Sequence, residues 1–476
     1  MTHSFQCIDR VIDQYFESGM TPGLSFALVR NNEIIYSGGR GMMYADGPEP
    51  DTSSIFRIAS MTKSFVAAAI LKLRDEGKLN LDDSVITHIP QMKAIKLPTP
   101  DSPELTIRHL LTMSAGFPTD DPWGDRCEPM TPEEFNQLIS RGFNFIYPPG
   151  IRFEYSNLSY VLLGRIITNC SGVQFQTYIT ENILNPLKMT STRFTMQELN
   201  QDYLTRGHRK RNDEWLAEDF SPTGEFAALG GLFSSVKDLT IWVSGMVSAF
   251  DPHEEKFLHP ISRTSRREMQ QGARVIPPGT NTDPLKPDFD FRAYGFGLVH
   301  EYDRTWGSSV GHSGGYPGYG THMRWHIDSG YGFILLSNST YAPSYPVARN
   351  AHRAFLEEVG AENFSMPTWP RTLDAFKAMR SLLREWDANL ASSWFSLNVE
   401  MDESYARREK EIADLKAAAG SFVTDEPEIL AGSTPAQMRW REKCQNGELE
   451  VFIQLTPENP SLVQTFSIKL VGVKTL

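Results

Sequence analysis

Two side chains near residue 60 have the types and spacing of a nucleophile and its base. Ser60 and Lys63 lie three residues apart, just before an apolar run at 64–73. Because three residues is almost one helical turn, both side chains project from the same helix face. A serine hydroxyl becomes an effective nucleophile only when a neighbouring base takes its proton. The spacing therefore indicates a serine activated by a lysine.

The tetrad is weak evidence by itself, because the chain contains a second copy at Ser234 and Lys237. There Ser235 and Asp238 are typical of a capping box in front of an apolar helix. That role is structural and requires no chemistry. Other residues must therefore distinguish Ser60 from Ser234.

A second motif, Tyr155-Ser156-Asn157, follows the turn at 148–150. In an extended segment, residues two apart face the same way, so Tyr155 and Asn157 can enter one cleft together. The structural alternative is that Asn157 caps the next helix while Tyr155 packs in the core.

A third motif, His312-Ser313-Gly314-Gly315, precedes the last strand-like segments. Consecutive glycines let the backbone approach a ligand closely, and their N–H groups can point at a developing negative charge. The alternative is a glycine-rich hairpin connection with a surface histidine.

Residues 311–315 also match G-x-S-x-G, the nucleophile elbow of α/β-hydrolases, which would make Ser313 the nucleophile. That elbow needs a buried apolar strand before it and a helix after it. The preceding residues 303–309 are polar, and the following residues 316–320 contain a proline and two glycines. The context therefore disfavours this alternative.

The elements that would position these motifs belong to an antiparallel sheet with strands from both ends of the first domain. Strands are expected at 23–30, 33–38, 320–327 and 331–338, after a first amphipathic helix. Helices are expected at 60–76, 107–113, 132–140, 158–170, 173–183, 236–247 and 346–359.

The composition changes near residue 365, where a segment with two prolines precedes charged helices. We expect helices at 372–389 and 403–418 and strands at 448–455 and 462–470. The chain is therefore divided into residues 1–365, which carry the three motifs, and an accessory α+β segment, 366–476.

Bulk composition excludes several function classes. The net charge of −12 argues against a nucleic-acid partner. No apolar stretch approaches the length of a membrane span, and the N-terminus lacks the pattern of a signal peptide. The cysteines form no C-x-x-C motif, so we expect no metal site and buried free thiols in a reducing compartment. These features favour a soluble, cytoplasmic protein.

Taken in order, S-x-x-K, Y-x-N and H-x-G resemble the three signatures of the serine β-lactamase and penicillin-binding-protein superfamily, most closely its class C β-lactamase-like branch. The likeness covers residues 5–360 and includes the segments 56–63, 105–116, 148–150, 185–189 and 230–232. It implies an α/β (α+β) fold of the β-lactamase/transpeptidase type: an antiparallel sheet flanked by helices, a helical subdomain and a small C-terminal α+β extension.

The resemblance also implies roles for individual residues. Ser60 would attack a carbonyl and become acylated, while Lys63 and Tyr155 would share the proton transfers. Asn157 would bind the acyl-side amide of the substrate, and the backbone N–H groups of Ser60 and Gly315 would form the oxyanion hole. Lysine and tyrosine have ordinary pKa values near ~10, so the site must lower one by about 3 units, or roughly 4 kcal/mol. Which one acts as the base stays open. No cofactor is implied.

His312, Ser313 and Gly314 would contact the substrate, and His312 stands where β-lactamases usually carry a lysine. A histidine with a pKa near ~6.5 is mostly neutral at pH 7, so affinity for a substrate carboxylate should be weaker or pH-dependent. Histidine variants of this motif occur among family peptidases, including D-alanyl carboxypeptidases and D-aminopeptidases, and related variants occur among esterases.

We therefore expect a serine hydrolase that acts on a small-molecule or peptide substrate, with small amides or D-amino-acid peptides ahead of esters. The alternatives are a class C-type β-lactamase or carboxylesterase, and a penicillin-binding protein that is acylated without efficient turnover. Oligomeric state stays open. The loop 117–128 contains Asp120, Asp121 and Asp125, whose carboxylates could hold a substrate ammonium or could simply be solvated.

Overall fold

The computed structural model describes residues 5–251, 259–277, 291–303, 305–361, 367–430 and 434–472. The chain divides into two compact units, Met1–Phe364 and Ser365–Leu476. The boundary expected after residue 365 falls outside the described residues. Among the described helices, none combines the length and the apolar character needed to cross a lipid bilayer.

An eight-stranded antiparallel sheet forms the centre of the first unit. Its strands, in spatial order, are Glu33–Gly41, Gly23–Arg30, Gly332–Ser337, Tyr319–His326, Gly307–Tyr316, Val299–Asp303, Phe291–Tyr294 and Arg274–Val275. The first hairpin of the chain pairs with one of the last strands, since Leu24 lies opposite Ser337. The expectation of an antiparallel sheet built from both ends of the domain and flanked by helices is confirmed.

Helices cover both faces of this sheet. The first helix and the last helix of the unit, Gln6–Glu17 and Ser344–Val359, pack on the face that carries Phe26 and Phe333. The other face packs against the largest apolar core, which contains the helix Thr62–Asp75. That helix has buried side chains around nearly its whole circumference, as expected of a central helix.

The remaining elements of the first unit lie between the two groups of sheet strands. The helices are Val85–His88, Ile107–Leu111, Trp123–Arg126, Pro132–Arg141, Asn157–Ser171, Phe175–Ile179, Ala227–Gly230, Val236–Val247 and Arg263–Met269, with a π-turn at Thr180–Leu184. Two short strand pairs are Ile55–Arg57 with Phe233–Ser235, and His208–Arg211 with Glu214–Ala217.

The second unit has its own core and its own four-stranded antiparallel sheet. The strands are Glu428–Leu430, Gln437–Cys444, Gly447–Leu455 and Val463–Val471, and the helices are Pro370–Arg384, Ala388–Trp394, Leu397–Asp402 and Tyr405–Ala419. The single helix expected at 372–389 is two helices, because Asp387 caps the second through Asn389 and Leu390. The first two strands were not expected.

Two further expectations differ from the structure. The glycine-rich motif at 312–315 is part of the long strand Gly307–Tyr316 and not a connection between strands. Of the polar residues 303–309 that precede it, Asp303 ends the strand Val299–Asp303, and 307–309 begin the strand that contains the motif. Glycine and serine have low strand propensity, and pairing with neighbouring strands overrides it here.

All four cysteines are free, but only Cys444 is buried.

Candidate active site

Ser60 lies in a single 3₁₀ turn, Ala59–Met61, directly before the helix Thr62–Asp75. The preceding residue, Ala59, has a φ of 49°, an unfavourable conformation for a residue with a side chain. Backbone hydrogen bonds hold the segment, including one from Ile58 N to Leu232 O at 2.9 Å. Ser60 is 8 % exposed, so the strained turn presents its hydroxyl at the edge of a buried region.

Lys63 is completely buried, and its ammonium nitrogen has three oxygen neighbours. Nζ lies 2.8 Å from Ser60 Oγ, 2.8 Å from Asn157 Oδ1 and 2.7 Å from the backbone oxygen of Leu229. The Leu229 carbonyl was missed by sequence reasoning. The sequence feature that could have indicated it is the adjoining segment 230–232, which packs against the nucleophile turn.

This arrangement provides hydrogen-bond partners for the Lys63 nitrogen in both of its protonation states. As an ammonium group it donates one hydrogen to each of the three oxygens. As a neutral amine it donates two hydrogens to the amide oxygens of Asn157 and Leu229, and its lone pair accepts the Ser60 hydroxyl hydrogen. Burial lowers the pKa of Lys63 to about 8, against the opposing effect of nearby carboxylates, Asp121 foremost. A neutral, base-competent lysine is therefore accessible near neutral pH.

Tyr155 approaches the same pair from the second motif. Its hydroxyl is close enough to Ser60 for that side chain to influence its pKa, and the Lys63 nitrogen lies 5.1 Å from the centre of its ring. Burial of the hydroxyl and the charge of Asp121 raise the pKa of Tyr155 well above its usual value. The geometry therefore contains a neutral phenol beside a lysine of lowered pKa, and the lysine is the stronger candidate for the base.

Asn157 is the first residue of the helix Asn157–Ser171, and two loop carboxylates fix its position. Asp120 accepts hydrogen bonds from the backbone nitrogens of Asn157 at 2.6 Å and Leu158 at 2.8 Å. Asp121 accepts a hydrogen bond from Asn157 Nδ2. Because a carboxylate can only accept, this contact directs Oδ1 of Asn157 toward Lys63.

The expectation that the loop carboxylates are simply solvated is therefore wrong for Asp120 and Asp125. Asp120 accepts hydrogen bonds from the first two backbone N–H groups of the Asn157 helix, so its two oxygens are already engaged. Asp125 is 2 % exposed and accepts a hydrogen bond of 2.8 Å from the Tyr341 hydroxyl. Burial raises the pKa of Asp125 to about 6. Asp121 alone of the three is exposed to solvent.

A buried ion pair ties the same loop to the nucleophile segment. Glu128 pairs with Arg57, three residues before Ser60, and neither side chain is more than 2 % exposed. Tyr316 donates to the second Glu128 oxygen at 2.5 Å, and its ring faces the Arg57 guanidinium at 4.2 Å. Pairing and hydrogen bonding offset the cost of burying both charges. Sequence reasoning missed this pair because its members lie 71 residues apart.

His312 faces the site from the strand Gly307–Tyr316 but is held by protein groups. Its Nδ1 lies 2.6 Å from the Ser313 carbonyl oxygen, and its Nε2 lies 3.1 Å from the Tyr294 hydroxyl. The carbonyl can only accept, so Nδ1 carries the proton and Nε2 accepts from Tyr294. Burial and the charge of Lys63 lower the pKa of His312 to about 3. This histidine is therefore uncharged at neutral pH.

Ser313 occupies a different environment from Ser60. It lies within a strand that turns back into a second strand, Tyr319–His326, without the helix that a nucleophile elbow requires. Its Oγ lies 2.9 Å from His322 Nδ1. The other ring nitrogen of His322 has no partner among the described residues, so no acid orients this histidine.

Glycines allow the same strand to run directly alongside the nucleophile turn. A Cβ atom on Gly314 would lie 2.2 Å from the Ile58 carbonyl oxygen, and one on Gly315 would lie 2.8 Å from the Tyr341 ring. A side chain at Gly314 would therefore push the strand away from the turn that carries Ser60, whereas one at Gly315 would displace the Tyr341 ring. Gly314 therefore allows the strand to pack closely against the nucleophile segment.

The second S-x-x-K tetrad has no comparable geometry. Ser234 is buried in the short strand Phe233–Ser235, whereas Lys237 is exposed. Ser235 caps the helix Val236–Val247 by accepting a hydrogen bond of 3.2 Å from Asp238 N. The capping role expected for this tetrad belongs to Ser235.

The chain is similar in sequence and fold to several known proteins. The family model described as Beta-lactamase matches residues 8–358. Protein flp of Staphylococcus aureus is 28 % identical over 350 residues, which are 71 % of this chain and 64 % of that protein. Penicillin-binding protein 4* of Bacillus subtilis is 28 % identical over 311 residues, or 62 % of this chain and 63 % of that protein. The chain thus aligns with just under two thirds of each of these relatives.

Two solved structures share the fold. The octameric penicillin-binding protein homologue from Pyrococcus abyssi superposes with a TM-score of 0.63 at 22 % identity, covering 97 % of this chain and 98 % of the other. A D-stereospecific amidohydrolase from Streptomyces sp. gives a TM-score of 0.57 at 19 % identity, covering 73 % of this chain and 98 % of the other. With the family model matched over most of the chain, these findings show that the chain belongs to the beta-lactamase family.

Proposed function

We propose that this chain is a serine hydrolase that acts through an acyl-enzyme on small amides or peptides, including those with D-residues, and less readily on esters. The observation that carries the proposal is the contact of 2.8 Å between Lys63 Nζ and Ser60 Oγ in a buried site that lowers the pKa of the lysine to about 8. A nucleophile in contact with a base poised near neutral pH is the essential requirement for covalent catalysis.

In the acylation step, Ser60 Oγ attacks the substrate carbonyl carbon, and its proton passes to the neutral amine of Lys63. The carbonyl oxygen becomes an oxyanion, which the backbone N–H groups of Ser60 and Gly315 stabilise. When the tetrahedral intermediate collapses, the bond to the leaving amine breaks and the amine takes a proton. Tyr155, which lies near Ser60, relays this proton from Lys63.

In deacylation the same groups act on a water molecule. Lys63 takes one proton from the water through Tyr155, and the resulting hydroxide attacks the acyl carbon. Collapse of the second intermediate breaks the ester bond and returns a proton to Ser60 Oγ. We infer that Asn157, which contacts Asp121 and Lys63, binds the amide of the acyl portion.

The charges around the site favour a substrate amine over a substrate carboxylate. His312 is neutral and its two ring nitrogens already have partners, so it supplies no cation at the position of the β-lactamase lysine. Asp121 is exposed and lies close enough to raise the pKa of Lys63. We infer that Asp121 attracts the ammonium group of an aminoacyl substrate. The fold shared with a D-stereospecific amidohydrolase is consistent with this substrate class.

A substrate panel tests the proposal. Purified full-length chain and the variants Ser60→Ala and Ser234→Ala would be assayed on D- and L-aminoacyl anilides, nitrophenyl esters and a chromogenic cephalosporin. We expect aminoacyl anilides to be hydrolysed fastest, with activity lost in Ser60→Ala and kept in Ser234→Ala. Efficient cephalosporin hydrolysis alone would identify a β-lactamase. Labelling by fluorescent penicillin without turnover of any substrate would identify an acylated penicillin-binding protein. Either result would overturn the proposal.

A further inference from the structure

A cysteine, a histidine and a carboxylate are joined by hydrogen bonds at the opposite end of the helix that begins with Asn157. Cys170 lies in the last turn of that helix, ~20 Å along the helix axis from Asn157. Its Sγ lies 3.2 Å from Nδ1 of His88, and Nε2 of His88 lies 2.9 Å from Oδ2 of Asp83. We call these three residues the Cys170 cluster. None of them belongs to the motifs of the proposed hydrolase site.

The hydrogen positions in the Cys170 cluster follow from Asp83. Its Oδ2 also accepts a hydrogen bond of 2.8 Å from the backbone nitrogen of Asn80, and this bond together with His88 lowers the pKa of Asp83. The ionised carboxylate can only accept, so Nε2 carries the proton of the neutral imidazole and Nδ1 is an acceptor. The Cys170 thiol therefore donates to Nδ1. This order of nucleophile, base and orienting acid is the arrangement that activates cysteine and serine nucleophiles.

A further hydrogen bond fixes His88 relative to the helix that carries Cys170. Nδ2 of Asn169 donates to the carbonyl oxygen of His88 at 2.8 Å and so joins the two segments that supply the cluster. The side chains of His88 and Asp83 are 11 % and 28 % exposed, and Cys170 is half-buried next to the exposed Asn169. The cluster is therefore preformed and open to a small molecule from solvent.

Cys170 rests as a thiol and needs a base when it reacts. Burial and the charge of Asp83 raise the pKa of the Cys170 thiol, and the charge of Lys78 only partly opposes them. The thiolate is the nucleophilic form of cysteine, so reaction requires that His88 take the proton as the new bond forms. Cys127 provides a contrast within the same unit. It is also half-buried with a pKa raised by burial, but no histidine contacts its sulfur among the described residues.

The geometry favours a reagent whose leaving group must be protonated. Nδ1 of His88 lies 3.2 Å from the sulfur, so the proton it takes from the thiol stays close to the reacting atoms. A peroxide fits this requirement, because its departing oxygen is strongly basic and needs a proton as the O–O bond breaks. The half-burial of Cys170 restricts the reagent to a small one.

We propose that Cys170 is an oxidation site for a small hydroperoxide, with His88 as its base and Asp83 as the residue that positions the imidazole. As Sγ attacks the terminal peroxide oxygen, its proton passes to Nδ1 of His88 and the O–O bond breaks. The departing oxygen takes that proton from His88 and leaves as water or an alcohol. The sulfur is oxidised by two electrons to a sulfenic acid, and the peroxide is reduced by two. The site is independent of the proposed hydrolase chemistry.

Trapping of the sulfenic acid in the full-length chain tests this site. The reduced protein would be treated with hydrogen peroxide or tert-butyl hydroperoxide in the presence of dimedone, and the adduct at each cysteine would be followed by mass spectrometry. We expect Cys170 to be trapped about tenfold faster than Cys127, or more, with one or both reagents, because a positioned base contributes at least that much. The faster reagent shows whether the site prefers hydrogen peroxide or an organic hydroperoxide.

Two variants assign the rate to the cluster. His88→Gln removes the base and should lower the rate at Cys170 to about that at Cys127, whereas Cys127 should react as in the wild type if the fold is intact. Asp83→Asn can donate to Nε2 and so place the ring proton on Nδ1, which should also lower the rate at Cys170 about tenfold. It decides the question if His88→Gln does not fold by circular dichroism.

A purely structural role of His88 and Asp83 predicts the opposite change, because their loss would uncover the sulfur and raise its rate of oxidation. Equal rates at Cys170 and Cys127 in the wild type would overturn the proposal. A rate at Cys170 that is unchanged or raised in the folded variants would overturn it as well.

Discussion

The side-chain nitrogen of Lys63 lies 2.8 Å from Oγ of Ser60 and is completely buried. Burial disfavours the ammonium form, and the nearby carboxylates only partly compensate, so the pKa of Lys63 falls to about 8. Its two other partners are amide oxygens, which accept hydrogen bonds whether the lysine is charged or neutral. Transfer of the serine proton to this nitrogen therefore requires no rearrangement of the surrounding groups.

The first prediction concerns pH. Only neutral Lys63 can accept the serine proton, and with a pKa of about 8 roughly a tenth of the molecules hold it neutral at pH 7. We expect kcat/KM for a nitrophenyl ester to rise about tenfold per pH unit below pH 7 and to level off above about pH 9. His312 should add no inflection near pH 6.5, because its pKa is about 3. If kcat/KM continued to rise beyond pH 10, the pKa of Lys63 would not be lowered as described.

The second prediction concerns Tyr155→Phe, which leaves the contact between Lys63 and Ser60 in place but removes the proposed proton relay. We expect kcat to fall by about 10²- to 10⁴-fold with little change in KM. Tyr160→Phe is the control, because the neighbouring ring lies 5.8 Å from Lys63 Nζ and its hydroxyl donates to Leu111 O at 2.9 Å. Equal losses of kcat in both variants would indicate a structural role for Tyr155.

The third prediction concerns the charge of Asp121. Asp121→Asn removes the carboxylate that contributes most to keeping Lys63 protonated, so the pKa of Lys63 should fall further. The rising limb of the pH–rate profile should therefore move to lower pH. KM should rise for aminoacyl anilides with a free amine and stay constant for their N-acetylated forms. Asp219→Asn, at a fully exposed side chain, is the control. Unchanged KM for the free amines would refute ammonium recognition by Asp121.

The fourth prediction separates Asp120 from its neighbour. Asp120 caps the helix Asn157–Ser171, so Asp120→Ala should lower the free energy of unfolding by about 1–2 kcal/mol. Asp120→Asn should restore only part of that loss, because its single amide oxygen can replace only one of the two carboxylate oxygens that accept these hydrogen bonds. Chemical denaturation followed by circular dichroism measures both variants. If Asp120→Ala unfolds at the same denaturant concentration as the wild type, the carboxylate does not stabilise the helix.

Local sequence pattern was sufficient for some parts of the site. The three-residue spacing of Ser60 and Lys63 and the order of the motifs predicted that Lys63 and Asn157 would converge on the serine, and Lys63 contacts both. Ser235 was likewise recognisable as a helix cap from its own neighbours.

Other parts depend on contacts between distant segments. The pair of Arg57 with Glu128 and the Leu229 carbonyl at Lys63 join residues far apart in the chain, and no local pattern encodes them. The strand containing His312 is defined by its hydrogen-bonded neighbours and not by its own glycine-rich composition. The lowering of the pKa of His312 to about 3 follows mainly from burial, which a sequence motif does not report.

Fluorophosphonate labelling with peptide mapping identifies the nucleophile, because the reagent marks the activated serine without requiring knowledge of the substrate. The wild type, Ser60→Ala and Ser313→Ala would be labelled and digested, and the modified peptide identified by mass spectrometry. We predict one adduct, on Ser60, that persists in Ser313→Ala and disappears in Ser60→Ala. An adduct on Ser313, or labelling that survives in Ser60→Ala, would contradict the account.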